Sequence, residues 1–129
     1  RIRMDDGHKS QISSCKMAEE KGIKVFLGIT TSFVGKDGYM NWEDIRKLSI
    51  NHIICNHSVN HEHLDNKTEE EIYDELKQAN LILEKNIWKK VKYYCPTFNF
   101  INDKVINACK RLNLEILKPA ILVDKNTIL

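Results

Sequence analysis

The feature that most constrains the fold of this chain is a regular alternation of β-prone runs with helical segments. Residues 24–29 form a continuous β-prone run, which is typical of a strand buried on both faces of a parallel sheet. Further runs lie at residues 2–4, 52–55, 91–95 and 114–117, with helical patterns between them. This alternation implies parallel strands joined by right-handed helical crossovers, so the predicted fold class is α/β.

The helical segments carry start signals and apolar stripes. The capping pairs are Asn41 with Asp44 and Thr68 with Glu71, and Asn102 or Asp103 opens the last helix. Apolar residues recur at helical spacing, at Ile12, Cys15 and Ala18, at Ile45 and Leu48, at Ile72, Leu76, Ala79 and Leu83, and at Val105, Ile106, Cys109 and Leu112. On the longest segment the charged residues, Asp74 and Glu75 among them, are predicted to face water.

Length and composition favour one folded domain over residues 1–129. The chain is 42% hydrophobic and 29% charged, and it has too few Gly (5) and Pro (2) residues for a collagenous or disordered protein. Because the first residues resemble the middle of a strand and only five strands are visible, we expect this domain to be truncated at both ends.

Charge, hydropathy and cysteine usage exclude several classes of partner. Twenty Lys and Arg against eighteen Asp and Glu leave a net charge of +2, so neither nucleic acid nor a membrane surface is an expected partner. The apolar runs are far shorter than the roughly 20 residues of a membrane span. The chain has four widely spaced cysteines, Cys15, Cys55, Cys95 and Cys109, which are predicted to be reduced thiols in the core. Unpaired cysteines favour a cytoplasmic location.

Polar residues cluster where three of the predicted strands end. Asp5 and Asp6 follow the first strand, residues 56–63 follow the third, and residues 96–99 follow the fourth. The carboxyl ends of parallel strands open on one rim, where α/β folds place their chemistry. We therefore expect the three loops to meet at one site.

The Asp pair and the His-rich loop together indicate a catalytic metal site. Two adjacent carboxylates at a buried strand end require a compensating positive charge. His57 and His61 could face the same way on a helical turn, so that one Asp completes a set of three ligands with open positions. The other Asp would then be the base that deprotonates water. Each motif alone also fits a surface His pair or an ordinary turn, and only their convergence favours a metal.

The remaining histidines have simpler interpretations. His8 and His63 are expected to be loop donors or solvent-facing side chains rather than metal ligands. His52, at a strand start, is expected to be a structural histidine with hydrogen-bonded ring nitrogens.

These motifs resemble the polysaccharide deacetylase family, also called carbohydrate esterase family four or the nodulation-type deacetylase homology domain. The family's first motif is T-F-D-D-G, matched by residues 3–7, and its second is H-[ST]-x-x-H, matched by residues 57–61. Its third motif, close to R-x-P-Y, corresponds to residues 95–98. The resemblance covers residues 3 to about 115, and it implies a distorted (β/α) barrel, here incomplete.

The resemblance implies a role for each matching residue. Asp6, His57 and His61 would bind a divalent metal, most simply zinc, with cobalt or nickel as alternatives, and Asp5 would be the catalytic base. Pro96 and Phe98 would contact the substrate, an N-acetylated sugar or polysaccharide whose acetamide is hydrolysed. From the residues themselves, Ser58 is expected to order the His loop and Asn56 to hydrogen-bond behind the ligands.

The chain also departs from the family pattern. Thr-Phe of the first motif is replaced by Arg3 and Met4, and the third motif has Cys95 in place of Arg and Phe98 in place of Tyr. The resemblance thus implies no Arg partner for the base at position 95. The family's general acid is a later His, and no His follows His63. An excerpt of a longer enzyme, an acid from elsewhere, and a shortened inactive relative all fit.

Three functional hypotheses follow. The first is a metal-dependent carbohydrate deacetylase, and the second is a catalytically inactive carbohydrate-binding or scaffold domain with the same fold. A doubly wound phosphate-binding protein is disfavoured because no Gly-rich loop follows the first strand. Five strands are too few to close a barrel, so we expect further segments or a homo-oligomeric contact to cover the sheet edges.

Overall fold

The computed structural model describes residues 2–118, in which one parallel sheet carries helices along one face. The strands are β1 (Ile2–Asp6), β2 (Val25–Ile29), β3 (Ile53–Asn56), β4 (Tyr93–Tyr94) and β5 (Glu115–Ile116). The helices are α1 (Gln11–Glu20), α2 (Trp42–Leu48), α3 (Glu69–Ile87) and α4 (Asp103–Arg111). The α/β class predicted from the sequence is confirmed.

The order of the strands shows how the sheet is wound. They lie side by side in chain order, β1-β2-β3-β4-β5, and every pair is parallel. Successive strands added on the same side build the wall of a β/α barrel, whereas a doubly wound sheet reverses direction at a switch point. This order contradicts the doubly wound alternative.

The helix starts follow the predicted capping chemistry. Asn41 accepts a hydrogen bond from the Asp44 amide at 2.8 Å, and Thr68 accepts one from the Glu71 amide at 3.1 Å. Both form complete capping boxes. Asn102 caps α4 by accepting from the Val105 amide, which resolves the choice between Asn102 and Asp103.

The last two strands are shorter than the sequence predicts. The runs at 91–95 and 114–117 yield only two strand residues each. The Val91 amide donates instead to the Glu84 carboxylate of α3, and the Leu114 amide donates to the Cys109 carbonyl at the end of α4. Residues of α3 and α4 thus accept hydrogen bonds from two backbone amides that the apolar pattern predicted to lie in the sheet.

The core lies between the sheet and the helices. Val25, Leu27 and Ile29 of β2 point into it, and their neighbours are the buried stripes of all four helices. The opposite face of the sheet carries a smaller buried cluster that includes Cys55 and Cys95. The four cysteines are buried and unpaired, as expected, and none of the described helices is long and apolar enough to span a membrane.

His52 is the structural histidine that the sequence predicts. Its Nδ1 accepts a hydrogen bond from the Val25 amide at 3.0 Å, and its Nε2 lies 2.9 Å from a Glu19 carboxylate oxygen. One ring thus ties the end of α1 to the starts of β2 and β3.

Candidate metal centre

The register of the sheet brings the polar loops to one rim. Asp6 at the end of β1 is level with Ile29 of β2, Ile29 with Asn56 of β3, and Asn56 with Tyr94 of β4. His57 directly follows β3, so it lies at the same rim as Asp6. The predicted convergence at the carboxyl ends of the strands is observed for these residues.

The backbone at Asp6 places both carboxylates of the Asp pair near this layer. Side chains alternate between faces along a strand, so neighbouring Asp residues would normally point apart. Asp6 has a left-handed φ of 82° and Gly7 follows at 83°. This turn ends the alternation, and carboxylate oxygens of Asp5 and Asp6 lie 3.8 and 3.1 Å from His57 Nε2.

Three of the predicted residues form one tight cluster. Asp6 Oδ1 lies 3.1 Å from His57 Nε2 and 3.2 Å from His61 Nε2. The three potential ligand atoms all lie within 4.8 Å of one another. The His57 side chain is only 2% exposed.

Hydrogen bonding fixes the protonation pattern of His57. Its Nδ1 lies 2.7 Å from the Cys95 carbonyl oxygen, and a carbonyl can only accept, so Nδ1 carries the proton. In the neutral ring, Nε2 is then a bare acceptor that faces another acceptor, Asp6 Oδ1. Both atoms are buried and have no hydrogen-bond partner among the described residues. Two buried acceptors in contact require a cation or an extra proton between them.

The electrostatics of Asp6 agree with this arrangement. The pKa of Asp6 is lowered, first by the contact of its carboxylate with the His57 ring, while burial opposes the shift. Nearby imidazole charge on His57, His61 and His8 lowers the pKa further. The carboxylate is therefore ionised at neutral pH, as a metal ligand must be.

The loop that carries the two histidines is not the predicted helical turn. Ser58 and His61 have left-handed φ values of 65° and 56°, and residues 57–61 contain no helix. Asn56 Oδ1 accepts from the Ser58 amide at 2.8 Å, and Ser58 Oγ accepts from the His61 amide at 2.9 Å. These side-chain bonds replace helical ones, and the one accepted by Ser58 holds the backbone of His61.

Asn56 acts on the loop rather than on the imidazoles. Its amide nitrogen donates to the Leu76 carbonyl and to Asn80 Oδ1, both at 2.8 Å. The hydrogen bond behind the ligands, predicted for Asn56, is instead the one that His57 Nδ1 donates to the Cys95 carbonyl. Every residue type has the same backbone carbonyl, so the sequence could not indicate that the Cys95 carbonyl accepts from His57.

Glu75 is a second residue that the sequence misplaced. Rather than facing water, its carboxylate accepts from the amides of Val59 and Asn60, each at 2.9 Å. Helix α3 thereby holds the His loop from outside. The helical pattern marked Glu75 as polar but carried no signal that it meets this loop.

The catalytic base implied by the family has an unexpected partner. Arg3 donates from Nε to Asp5 Oδ1 at 2.8 Å and from Nη2 to Asp5 Oδ2 at 2.6 Å. Burial lowers the pKa of Arg3, but the Asp5 hydrogen bond and nearby charges outweigh it and raise the pKa overall. In the sequence, Arg3 differs from the first motif of the family, but nothing in the motif indicates that it contacts Asp5.

The rim beside the cluster is aromatic. Phe98 is 51% exposed, with its ring centroid 4.8 Å from that of His61, and it stacks on His63 at 3.6 Å. His8 stacks on Tyr39 at 4.8 Å, and its Nε2 lies 3.6 Å from Asp6 Oδ2. Pro96, the other residue predicted to contact the substrate, is buried, and its carbonyl accepts a hydrogen bond from Arg3.

A separate cavity of about 340 Å³ opens at the amino ends of the strands. Lys24, Lys89 and Tyr93 are among its lining residues, and none of the carboxylate–imidazole cluster takes part. The Asp–His–His cluster therefore lies outside this cavity, at the opposite end of the sheet.

Fold and cluster together define a β/α-barrel protein with a three-residue Asp–His–His site above the carboxyl ends of its strands. The model of the polysaccharide deacetylase family matches residues 3–117, and the chain belongs to this family. No curated protein sequence matches the chain.

Solved structures with this fold include proteins described as deacetylases and one described as a pseudoenzyme. The deacetylase PplD of Streptococcus pyogenes in complex with acetate has a TM-score of 0.81 at 16% identity, over 86% of this chain and 51% of its own. BC0361, a polysaccharide deacetylase from Bacillus cereus, has a TM-score of 0.80 at 20% identity, over 89% and 38%. BA3943 of Bacillus anthracis, a pseudoenzyme of carbohydrate esterase family four, has a TM-score of 0.79 at 15% identity, over 91% and 41%.

These likenesses confirm the deacetylase-type fold. The five described strands form part of the barrel wall, so the expected incomplete barrel is confirmed as well. The chain spans about half the length of these proteins or less.

Proposed function

We propose that this chain is a metal-dependent deacetylase that hydrolyses the acetamide of an N-acetylated sugar or polysaccharide. The observation that carries the proposal is the contact of Asp6 Oδ1 with His57 Nε2 and His61 Nε2, at 3.1 and 3.2 Å. Membership of the polysaccharide deacetylase family supports it.

Asp6, His57 and His61 would hold the ion. Two imidazole nitrogens and one carboxylate oxygen suit zinc, and cobalt or nickel are alternatives. A bound divalent ion supplies a Lewis acid that acidifies water and polarises a carbonyl. The buried, unpartnered acceptors of Asp6 and His57 are the evidence that these residues fit such an ion.

Asp5 is the proposed catalytic base. Its Oδ2 lies 3.8 Å from His57 Nε2, so it borders the ligand cluster without belonging to it. In this role Asp5 takes the proton of the attacking water, oxygen adds to the acetamide carbon, and the C–N bond breaks. The proton that Asp5 accepts balances the one taken up by the leaving amine.

The exposed face of Phe98 is the proposed contact for the sugar ring. Stacking on His63 holds the Phe98 ring beside the ligand His61, so a bound sugar would be presented to the cluster. Aromatic faces offer large apolar contact area to such ligands. The acetate bound in the structure of PplD is consistent with deacetylation.

The direct test measures acetate release from an N-acetylated chito-oligosaccharide with added zinc or cobalt. The wild-type chain should release acetate, a chelator should stop the reaction, and His57→Ala should abolish both bound zinc and acetate release. Full activity of His57→Ala without metal would reject the mechanism.

A second candidate is a catalytically silent glycan-binding or scaffold domain. Two observations favour it: Cys95 stands where the family has an Arg, and the pseudoenzyme BA3943 shares the fold. It predicts affinity for the oligosaccharide without acetate release. The same assay, combined with a binding measurement, separates the two functions.

A further inference from the structure

Strand β1 contains a buried charge that the fold itself does not require. The Arg3 side chain is only 5% exposed, although it lies in the middle of a strand. A buried guanidinium is costly unless a carboxylate and further hydrogen bonds compensate it. The partners of Arg3 should therefore indicate why it is there.

The partners are Asp5 and the backbone of the third motif. Arg3 holds both Asp5 carboxylate oxygens in a two-pronged contact, at 2.8 and 2.6 Å, and Nη2 also donates to the Pro96 carbonyl at 3.1 Å. A planar guanidinium in this geometry fixes the rotation of the carboxylate as well as its position. One lone pair on each Asp5 oxygen remains, and Oδ2 borders the ligand His57 at 3.8 Å.

Cys95, which directly follows strand β4, approaches the same carboxylate. A Cβ atom at Gly28 would lie 2.9 Å from Asp5 Oδ1 and 3.0 Å from Cys95 Sγ, so these two side chains are close neighbours. The neighbouring Cys55 thiol, followed by burial, raises the pKa of Cys95, which keeps this thiol neutral. Cys95 therefore places a neutral thiol beside this carboxylate and supplies no guanidinium.

We propose that Arg3 is the positioning residue for Asp5, and that it performs from β1 the task of the Arg that the third motif lacks at position 95. The inference rests on the proposed function, in which Asp5 is the base. It also bears on the second candidate, because a pseudoenzyme need not preserve a guanidinium on this carboxylate.

The test relocates the guanidinium. Arg3→Gln should lower kcat by about 100-fold, because the carboxylate loses its orientation, while KM and zinc affinity change less than about twofold. The double variant Arg3→Thr/Cys95→Arg should recover at least about tenfold of that loss. Arg111→Gln removes an exposed guanidinium on α4 and should leave the activity unchanged.

Two further variants keep the test decisive. Arg3→Lys retains the charge without the two-pronged contact and should lose nearly as much kcat as Arg3→Gln, which covers the case in which the neutral variant does not fold. Cys95→Arg alone should be destabilised, because Arg3 already fills the space. If kcat, zinc affinity and thermal stability fall together and relocation recovers nothing, Arg3 is merely structural and the proposal is overturned.

A structural comparison that requires no enzymatic activity distinguishes failure of this inference from failure of the proposed function. If the wild-type chain releases no acetate, the deacetylase proposal fails, but crystal structures of the wild type, Arg3→Gln and the relocated variant still decide the role of Arg3. The Asp5 carboxylate should turn away in Arg3→Gln and return in the relocated variant. An Asp5 carboxylate that stays in place without Arg3 contradicts the inference.

Discussion

At the scale of single residues, the centre depends on which atoms lack a proton. The Cys95 carbonyl takes the one N–H of neutral His57, and this leaves Nε2 facing the ionised Asp6. If a hydrogen-bond donor replaced Asp6, it could donate to His57 Nε2, and the ring would need no ion. The chemistry thus follows from a backbone carbonyl at one side of the imidazole and a carboxylate at the other.

Gly28 packs closely against Asp5, the proposed base, so a larger side chain at this position should displace the Asp5 carboxylate. Gly28→Ala would place a methyl group 2.9 Å from Asp5 Oδ1 and 3.0 Å from Cys95 Sγ, so the carboxylate must shift. Such overpacking costs about 1–3 kcal/mol of unfolding free energy. We expect kcat to fall while zinc affinity is retained, as measured by steady-state kinetics and calorimetry.

Gly35→Ala is the matched control. Its φ of 84° makes the substitution strained, but a methyl group there meets nothing within 4 Å. It should therefore lower stability without changing kcat. Unchanged kcat in Gly28→Ala would show that Asp5 does not need its present position.

At the scale of elements, helix α3 supports the His loop. The Glu75 carboxylate accepts two loop amides at 2.9 Å, so it fixes the backbone that carries His61. Glu75→Ala should weaken zinc binding by about tenfold, because removing groups that orient metal ligands typically has this effect. Asp74→Ala removes the exposed neighbouring carboxylate and should bind zinc like the wild type; equal losses in both variants would refute the specific role of Glu75.

The link between α1 and β3 predicts a pH dependence. His52 Nδ1 accepts the Val25 amide, so Nε2 donates to Glu19, and this bond is the first cause of a Glu19 pKa below its ordinary 4.5. Because the pKa of Glu19 is lower in the folded state, the ionised carboxylate stabilises the folded protein. This contribution to the free energy of unfolding is fully present above pH 4.5 and is lost as the pH falls through the folded-state pKa.

Urea unfolding of Glu19→Gln across this range tests the link. The stability deficit of the variant relative to the wild type should be largest above pH 4.5 and should shrink below it. Glu20→Gln, on the adjacent residue, is the control. A deficit independent of pH would mean that the His52–Glu19 contact does not stabilise the folded state.

The sequence predicted most elements because their signals are local. Capping pairs such as Thr68 with Glu71 lie within one turn, and the apolar run of β2 needs only its own side chains. The sequence did not predict the short length of β4, because the Val91 amide donates to the carboxylate of Glu84, seven residues earlier in the chain. In the centre, the ligands were visible as residue types, whereas the Cys95 carbonyl and the Arg3 contact depend on strands brought together by folding.

At the scale of the whole molecule, the metal site joins elements that are distant in the chain. Asp6 ends β1, and His57 and His61 follow β3, so an ion held by all three binds only the folded protein. At a free zinc concentration 100 times Kd, this linkage adds about 2.7 kcal/mol to the unfolding free energy. Urea unfolding with zinc and with a chelator should show the difference in the wild type, and it should vanish in His57→Ala.

The proposed deacetylase activity depends on Asp6, His57 and His61 binding one divalent ion. The most direct measurement is a crystal structure of the zinc-loaded chain with anomalous data at the zinc edge. We predict one strong peak with bonds of about 2.0–2.2 Å to Nε2 of both histidines and to an Asp6 oxygen, and an open position beside Asp5. A zinc peak elsewhere, or none at this cluster at saturating zinc, would contradict the account.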